Sequence, residues 1–251
     1  MLKTLAVVEF PQPPASVNRV CLAQRRLCGR PLIEWVIRRV SESQQIDSVL
    51  ALVGESQEGR QAICQIPPDV PVFVGEQGDV LSDLTAALND FPATNFVRVN
   101  VDNPFIDPIL IDRLIATADR HPGCDYIGFQ SGDGRPTVFS QVGIFAEWYR
   151  TEALQWAHQE ATAKEERDNV TRFFMSHPER FQIRLIPVPD ELANQEDMRL
   201  TIGVDQDWEH VEEIFEAIGP DELDWQRIAN LLAAQPGLRR TMASLNRTAI
   251  V

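Results

Sequence analysis

The chain of 251 residues is poor in the side chains that build disulfide frameworks and zinc sites. It has four cysteines and four histidines. The cysteines are scattered and contain no C-x-x-C pair, so we predict that they are reduced. No histidine lies at a spacing typical of zinc ligands. These shortages argue against disulfide-stapled and zinc-dependent proteins.

Glycine-rich phosphate loops and long apolar runs are also missing. The 13 glycines form neither G-x-G-x-x-G nor G-x-x-x-x-G-K-[ST], which disfavours a Rossmann dinucleotide site and a P-loop. No apolar run approaches the roughly 20 residues of a membrane-spanning helix. Met1 leads directly into strand-like residues without a signal-peptide pattern. We therefore expect a cytoplasmic protein without a membrane partner.

Positive charge is scarce, since 23 basic residues face 37 acidic ones and the net charge is −14. This charge repels phosphate backbones and anionic lipid over most of the surface. We expect no nucleic-acid partner, whereas a local basic pocket for one nucleotide stays compatible with the composition. With 44% hydrophobic residues, the chain can bury the core of one large α/β domain. We place this domain at residues 1–218 and a helical extension packed on it at 219–251.

Strand-like and helix-like segments alternate along the chain, which predicts a mostly parallel sheet with helices on its faces. Asp79 is predicted to cap the helix that follows it. The predicted strands are 5–10, 47–53, 71–75, a strand ending near 102, 125–130, 138–145 and 181–186. The predicted helices are 31–40, 57–64, 79–88, 108–120, 150–160, 165–175 and 208–217, followed by a helical tail from 221.

An apolar run from Phe96 stops abruptly at Asp102 and then at two prolines. Asp102 is therefore predicted to lie where a buried strand ends, at the edge where open α/β sheets bind ligands. One carboxylate at that edge can hold Mg²⁺ against nucleotide phosphates. An ordinary strand-end aspartate that caps the turn explains this segment equally well.

Several blocks occur in an order and spacing that resemble a known family. They are residues 29–37, 72–75 with 78–81, 97–108, 166–171, 177–181, 199–202 and 231–236, with Asn246 in the tail. In these blocks the chain resembles the cytidylyltransferase-like family of spore coat polysaccharide biosynthesis protein F, related to CMP-ketodeoxyoctonate and CMP-sialate synthetases. The resemblance covers essentially the whole chain.

The resemblance implies a three-layer nucleotide-diphospho-sugar transferase fold, GT-A-like and Rossmann-like, with a small helical C-terminal tail. It implies CTP at the carboxyl edge of the sheet and transfer of CMP to a sugar acid or related sugar of a surface polysaccharide. Mg²⁺ at Asp102 is the implied cofactor, and a homodimer formed partly by the segment after Val138 is implied. The candidate nucleotide-binding residues are Ser16, Arg19, Arg25, Arg26 and Asp79, and the candidate residues of the sugar side are Gln141 and Arg167.

The chain departs from the family's phosphate loop, which reads R-x-G-S-x-R-L-P-x-K. A gapless count places this loop on residues 13–22, where only Ser16 matches. The family's cations fall on proline, asparagine and leucine, which bring no positive charge. A shift of one residue would place Arg19 at the second arginine, and Arg25 and Arg26 are near enough in sequence to substitute.

The acids of the family pattern are also changed. The second metal-binding aspartate corresponds to Gly203, and the aspartate of the sugar end corresponds to Gln141. Each change removes the anionic oxygen that a hard cation prefers. Asp205 and Asp207 are close enough in sequence to replace the missing ligand after a local rearrangement.

These losses favour a family member with impaired or altered catalysis. One alternative is an active CTP-dependent enzyme whose phosphate loop is rebuilt with Arg19, Arg25 and Arg26, and another is a non-catalytic binding or assembly partner. A glycosyltransferase is disfavoured because the sole D-x-D triplet, 205–207, lies near the C-terminus.

Overall fold

The computed structural model describes residues 1–10, 21–76, 78–193, 195 and 197–248. Its strands are β1 (Leu2–Phe10), β2 (Arg26–Leu27), β3 (Arg30–Pro31), β4 (Ser48–Gly54), β5 (Val72–Gly75), β6 (Ala93–Asn100), β7 (Tyr126–Gln130), β8 (Glu147–Arg150) and β9 (Ile183–Pro187). Its α-helices are α1 (Leu32–Ser41), α2 (Gln57–Ile63), α3 (Val80–Asp90), α4 (Pro108–Arg120), α5 (Thr151–Glu160), α6 (Lys164–Asp168), α7 (Val170–Ser176), α8 (Asp205–Ile218), α9 (Trp225–Ala234) and α10 (Pro236–Thr248).

Seven of these strands form one sheet in the order β5-β4-β1-β6-β8-β7-β9. Its neighbours pair in parallel except where β8 runs antiparallel between β6 and β7. The short strands β2 and β3 form a separate hairpin before α1. The carboxyl ends of β1, β4, β5 and β6 therefore share one edge of the sheet.

Side chains of each strand alternate between two apolar layers, as the pleat requires. In β1, Ala6 and Val8 belong to a core that includes buried residues of α1, α4, α8, α9 and α10. Leu5 and Val7 belong to the opposite core, together with buried residues of α3, α5 and α7. The three-layer α/β prediction is confirmed.

The helical tail shares the first of these cores. Leu232 of α9 and Met242 of α10 are fully buried in it. The carboxylate of Asp107, which caps α4 through the amides of Ile109 and Leu110, also accepts from the amide of Trp225 at 3.3 Å. A tail is present as expected, and the division at residue 218 stays a prediction.

The predicted strand 138–145 is wrong. Residues 137–139 form a 3₁₀ turn, and the strand of this region is β8, which begins at Glu147. The carbonyl of Gln141 accepts from the amides of Leu200 and Thr201 at 2.8 and 3.1 Å, so this segment pairs with another loop instead of the sheet. Gly143, with a φ of +69°, allows the close approach because a Cβ there would lie 2.7 Å from the nitrogen of Thr201.

The predicted helix 165–175 is two helices, α6 and α7, which meet at Asn169. The Asn169 side chain accepts from the amide of Arg172 and begins α7 as its cap. No disulfide joins the four cysteines, all of which lie in described parts of the chain. Among the described helices, none combines the length and hydrophobicity needed to cross a bilayer.

Candidate functional site

Asp102 lies in the turn directly after β6, at the carboxyl edge of the sheet, as predicted. Asp102 is 8% exposed to solvent. The backbone carbonyl of Asp102 accepts from the amide of Ile202 at 2.8 Å, and the side-chain oxygen of Asn103 accepts from the hydroxyl of Thr201 at 2.8 Å. These bonds hold the turn after β6 against the loop that precedes α8.

A cleft of about 210 Å³, here called the Asp102 cleft, lies between this turn and the segment 137–143. Its charged lining residues are Arg98, Asp102 and Glu147. Most of the remaining lining residues carry amides or hydroxyls, namely Asn100, Asn103, Thr137, Ser140, Gln141 and Thr201. Gln141, a predicted sugar-side residue, therefore shares one cleft with the predicted metal ligand Asp102.

A buried ion pair forms part of this cleft. Arg98 donates to both oxygens of Glu9 at 2.8 Å from Nε and from Nη2. Its Nη1 lies 3.6 Å from Oε2 of Glu147. Burial acts to lower the pKa of Arg98, but Glu9 outweighs it, and the pKa lies well above its usual value. The guanidinium is therefore charged, and each of its three nitrogens lies near a carboxylate oxygen of Glu9 or Glu147.

Glu147 is held from the other side by three hydroxyl groups. The phenols of Tyr126 and Tyr149 donate to its Oε1 at 2.9 Å each, and the hydroxyl of Thr171 donates at 2.6 Å. Burial, and then the charge of Glu147, raises the pKa of both tyrosines well above its usual value, so both phenols stay protonated donors. We call Glu9, Arg98 and Glu147 with these donors the Glu147 network.

Sequence reasoning missed the Glu147 network. Its signal was present as single charges inside apolar strands, with Glu9 after Val7-Val8 and Arg98 between two valines. A buried charge needs a partner of opposite sign, because an unpaired one is costly. The partners became evident only from the strand register, which places Glu147 opposite Arg98.

Asp79 and Arg167 contact each other. Asp79 caps α3 by accepting from the amide of Ser82 at 2.8 Å, as predicted, and Arg167 donates to Asp79 at 3.1 Å. Burial acts to raise the pKa of Asp79, but hydrogen bonds from Ser82 and Arg167 outweigh it and lower the pKa. Arg167 also donates to the carbonyl of Ala161 at 2.8 Å. Neither residue is among those that line the Asp102 cleft, and their binding roles stay predictions.

The candidate phosphate-binding arginines are only partly described. Arg25 is paired with the carboxylate of Asp205 and lies over the ring of Trp208 at 5.2 Å. Arg26 belongs to the β2–β3 hairpin and donates to the carbonyl of Gly29 at 3.1 Å. Ser16 and Arg19, the other candidates of this loop, lie outside the described residues. The nucleotide-binding roles of all four stay predictions.

The carboxylate of Asp207 is committed to structure. It accepts from Nε and Nη2 of Arg199 at 2.6 and 2.9 Å and from the amides of Gly203 and Val204 at 2.8 and 2.9 Å. Asp207 is 1% exposed to solvent. Asp205 is paired with Arg25, so the described geometry does not bring either acid to the Asp102 cleft. No three His, Cys, Asp or Glu side chains converge on a cation position within the described ranges.

A seven-stranded, mostly parallel sheet between two helical layers, with a polar cleft at its carboxyl edge, has the architecture of the α/β nucleotidyltransferases. The family model described as Cytidylyltransferase matches residues 23–233. The chain belongs to this cytidylyltransferase family.

Its relatives include the spore coat polysaccharide biosynthesis protein SpsF of Bacillus subtilis, 24% identical over 201 residues. That match covers 78% of this chain and 80% of SpsF. A cytidylyltransferase structure from Leptospira borgpetersenii has a TM-score of 0.76 at 17% identity and covers 94% of this chain and 95% of its own. CMP:2-keto-3-deoxy-manno-octonic acid synthetase in complex with CTP has a TM-score of 0.61 at 12% identity, with coverages of 86% and 99%.

Proposed function

We propose that this cytidylyltransferase-family protein binds a cytidine nucleotide and a sugar in the activation of surface-polysaccharide sugars, and that its transfer of CMP is impaired. The polysaccharide role is supported by the similarity to SpsF, and the nucleotide by the structural similarity to a synthetase in complex with CTP. The impairment is supported by the surroundings of Gly203.

Gly203 is the observation that carries the proposal. In the resembling family an aspartate at this position joins the aspartate that corresponds to Asp102 in holding the metal ion. Asp207, four residues on, is turned into a buried pair with Arg199 and accepts from the amide of Gly203. Among the described residues, Asp102 is therefore the one carboxylate of the family's metal pair that this chain keeps.

The side chains of the Asp102 cleft can hold a divalent cation only when a substrate supplies further oxygen ligands. Mg²⁺ prefers oxygen ligands and keeps several waters, so one carboxylate suffices when nucleotide phosphates supply further oxygens. Asp102 is the residue that would hold such an ion, next to the amide side chains of Asn100 and Gln141 in the same cleft. A cation bound in this way neutralises phosphate charge in the nucleotide.

The lost stabilisation of the transition state favours impaired over full activity. Removing one preorganised contact to a developing charge costs about 3–4 kcal/mol, on the order of a hundred- to a thousandfold in rate. Residues 13–22 lose family cations and Gly203 loses the family acid. Several such losses together reduce turnover far below that of a complete site.

Binding is tested by thermal unfolding with CTP, CMP and other nucleotides, with and without Mg²⁺. A nucleotide at about 100 times its Kd adds about 2.7 kcal/mol, which raises the Tm of a chain of this size by roughly 5–10 °C. We expect a cytidine nucleotide to give such a shift, and Asp102→Asn to reduce the part that depends on Mg²⁺. Glu42→Gln, an exposed carboxylate outside the Asp102 cleft, is the matched control. The absence of any shift with cytidine nucleotides contradicts the proposal.

An active enzyme with a rebuilt phosphate loop is the second candidate, supported by the extent of the family match. The two candidates differ in release of pyrophosphate from CTP, because a binding protein with impaired transfer retains the nucleotide without turning it over. Robust release by the unmodified chain would establish the second candidate.

We also propose a symmetric homodimer that includes the segment from Val138 to Phe181. The aromatic residues of this segment motivate the proposal, and Phe139, 51% exposed, is an apolar side chain of the segment that a partner could cover. Sedimentation at micromolar concentration is expected to show a dimer that Phe139→Ser weakens and Ile109→Ser does not. Ile109, 64% exposed on α4, is the control outside the segment. A monomer under these conditions contradicts the proposal.

A further inference from the structure

We infer that the Asp102 cleft receives a neutral or amino sugar in preference to a sugar acid. The inference rests on the proposed function, because it assigns the chemical class of the sugar at the same site. It follows from the side chains that line the cleft and from the pairing of its one described cation.

The wall of the Asp102 cleft is suited to hydroxyl groups. Three amide side chains, of Asn100, Asn103 and Gln141, both donate and accept hydrogen bonds. Hydroxyls of Thr137 and Ser140 line the same space. A ligand with many hydroxyls satisfies such a wall, since each hydroxyl is itself a donor and an acceptor.

The cation of the cleft is already paired. Among the described lining residues, Arg98 is the one basic side chain. Two of its nitrogens bind Glu9 at 2.8 Å, and the third lies 3.6 Å from Glu147. A sugar carboxylate would have to displace one of these buried carboxylates to form a comparable fork with Arg98.

Without a bound cation, the charge of the lining opposes a sugar carboxylate. Of the charged lining residues, Arg98 is basic, whereas Asp102 and Glu147 are acidic. Glu9, which does not line the cleft, adds a further carboxylate beside Arg98. Two like charges repel each other more strongly inside a protein cleft than in bulk water, because the local dielectric constant is lower there. A hydroxyl or an ammonium group, in contrast, donates a charge-assisted hydrogen bond to a carboxylate.

Glu147 is held in place for such an acceptor role. Three hydroxyl donors bind its Oε1, and its Oε2 lies towards Arg98 at the cleft. A carboxylate fixed in this way loses little conformational freedom when a ligand binds. The cleft volume of about 210 Å³ lies below the range of about 300–1,000 Å³ typical of pockets for drug-sized ligands, which favours one sugar ring over an oligosaccharide.

The test compares sugars that share one ring and differ in charge. Glucose, glucosamine and glucuronate, with their manno counterparts, are titrated by calorimetry into the full chain saturated with CMP. We expect the uronates to bind about tenfold or more weakly than the neutral sugars, and the amino sugars to bind at least as tightly as the neutral ones. Equal or tighter binding of the uronates overturns the inference, as does the absence of binding by every neutral and amino sugar.

A charge-adding variant tests the cause of the preference. Gln141→Lys brings a cation to the cleft at a half-buried loop position, and we expect it to reduce the disadvantage of the uronates about tenfold. Gln61→Lys, which adds the same charge on the exposed face of α2, is the control and leaves the ratio unchanged. An unchanged ratio in properly folded Gln141→Lys overturns the electrostatic argument.

Failure of the inference is distinguishable from failure of the proposed function. If CMP binds and the uronates bind more tightly than the neutral and amino sugars, the protein still binds a nucleotide and a sugar, and only the inferred class of sugar is wrong. If neither CTP nor CMP binds, the proposed function fails, and the inference fails with it.

Discussion

Gly203 shows how one residue and its neighbours constrain the candidate site. An added Cβ at this position would lie 3.2 Å from Nη2 of Arg199 and 3.4 Å from Oδ2 of Asp207. A carboxylate on that Cβ would therefore compete with Asp207 for the same guanidinium. We therefore expect that restoring the family's aspartate alone does not restore the family's site.

We predict that Gly203→Asp gives no gain in pyrophosphate release and lowers the free energy of unfolding by about 1–2 kcal/mol. The loss arises because a new negative charge enters the buried Arg199–Asp207 pair. A coupled pyrophosphate assay and urea unfolding measure the two effects, and Gly203→Ala separates the added Cβ from the added charge. A hundredfold rise in release would show that Gly203 alone limits the reaction.

His210 gives the protein a specific dependence on pH. Burial lowers the pKa of its imidazole, against the opposing influence of Asp207, Glu209 and Glu213, and Arg199 also lowers it. Its Nδ1 has no hydrogen-bond partner among the described residues. The imidazole of the folded chain therefore takes up its proton at a lower pH than that of the unfolded chain, whose pKa is about 6.5.

As the pH falls from about 7 to about 5, the unfolded state takes up this proton before the folded state does, so stability decreases. We predict that His210→Gln loses less stability over this interval than the unmodified chain does. Each unit by which folding lowers the pKa corresponds to about 1.4 kcal/mol. Urea unfolding at each pH measures the difference, and parallel curves for the two proteins would refute the prediction.

At the scale of elements, helix α10 supports one side of the Asp102 cleft. Asn246 accepts from Nη1 of Arg199 at 3.3 Å, and its amide donates to the carbonyls of Asp197 and Met198 at 3.4 Å each. Arg239 forms a two-bond ion pair with Asp197 at 2.6 and 2.8 Å. The tail therefore holds the segment that carries Thr201 and Gly203.

We predict that Asn246→Ala increases amide hydrogen exchange at Leu200 and Thr201, because these amides bind the carbonyl of Gln141 only while the segment keeps its place. Exchange in α3 and α5, whose buried residues belong to the opposite apolar core, is the internal reference. Unchanged protection at both amides would show that α10 does not position the cleft.

The elements also show which parts of the fold can be read from sequence. The parallel strands and the helices that cover them were predictable because each carries its own periodicity and its own capping signals, as with Asp79 before α3. The strand predicted at 138–145 was wrong because alternating Val138, Val142 and Ile144 imitate a strand, while the contact of Gln141 with Thr201 is distant in sequence. Local patterns do not report such pairings.

The same limit applies to the candidate site. Asp102 was found because its position depends on the end of its own strand, whereas the Glu147 network depends on the pairing of β1, β6 and β8. The pairing of Asp207 with Arg199 was not apparent from the sequence, because the two residues lie on either side of a loop whose course no local pattern predicts.

At the scale of the whole molecule, the chain has a net charge of −14. The charged side chains that line the Asp102 cleft also sum to a negative charge. A nucleotide triphosphate must approach a negative surface, so the described arginines and any bound cation have to offset that repulsion. Arg25 contributes little of this offset while it is paired with Asp205. Binding of a nucleotide is therefore expected to weaken less with salt than in a protein with a basic phosphate loop.

Pyrophosphate release by the purified full chain tests the central claim most directly. The protein is incubated with CTP, Mg²⁺ and a panel of neutral sugars, amino sugars and sugar acids, after nucleotide binding has been shown by thermal shift. We predict little or no release, because Gly203 and residues 13–22 depart from the charges of the resembling family's pattern, and each lost contact to a developing charge slows the reaction. Robust release that Asp102→Ala abolishes would contradict this account and establish an active cytidylyltransferase.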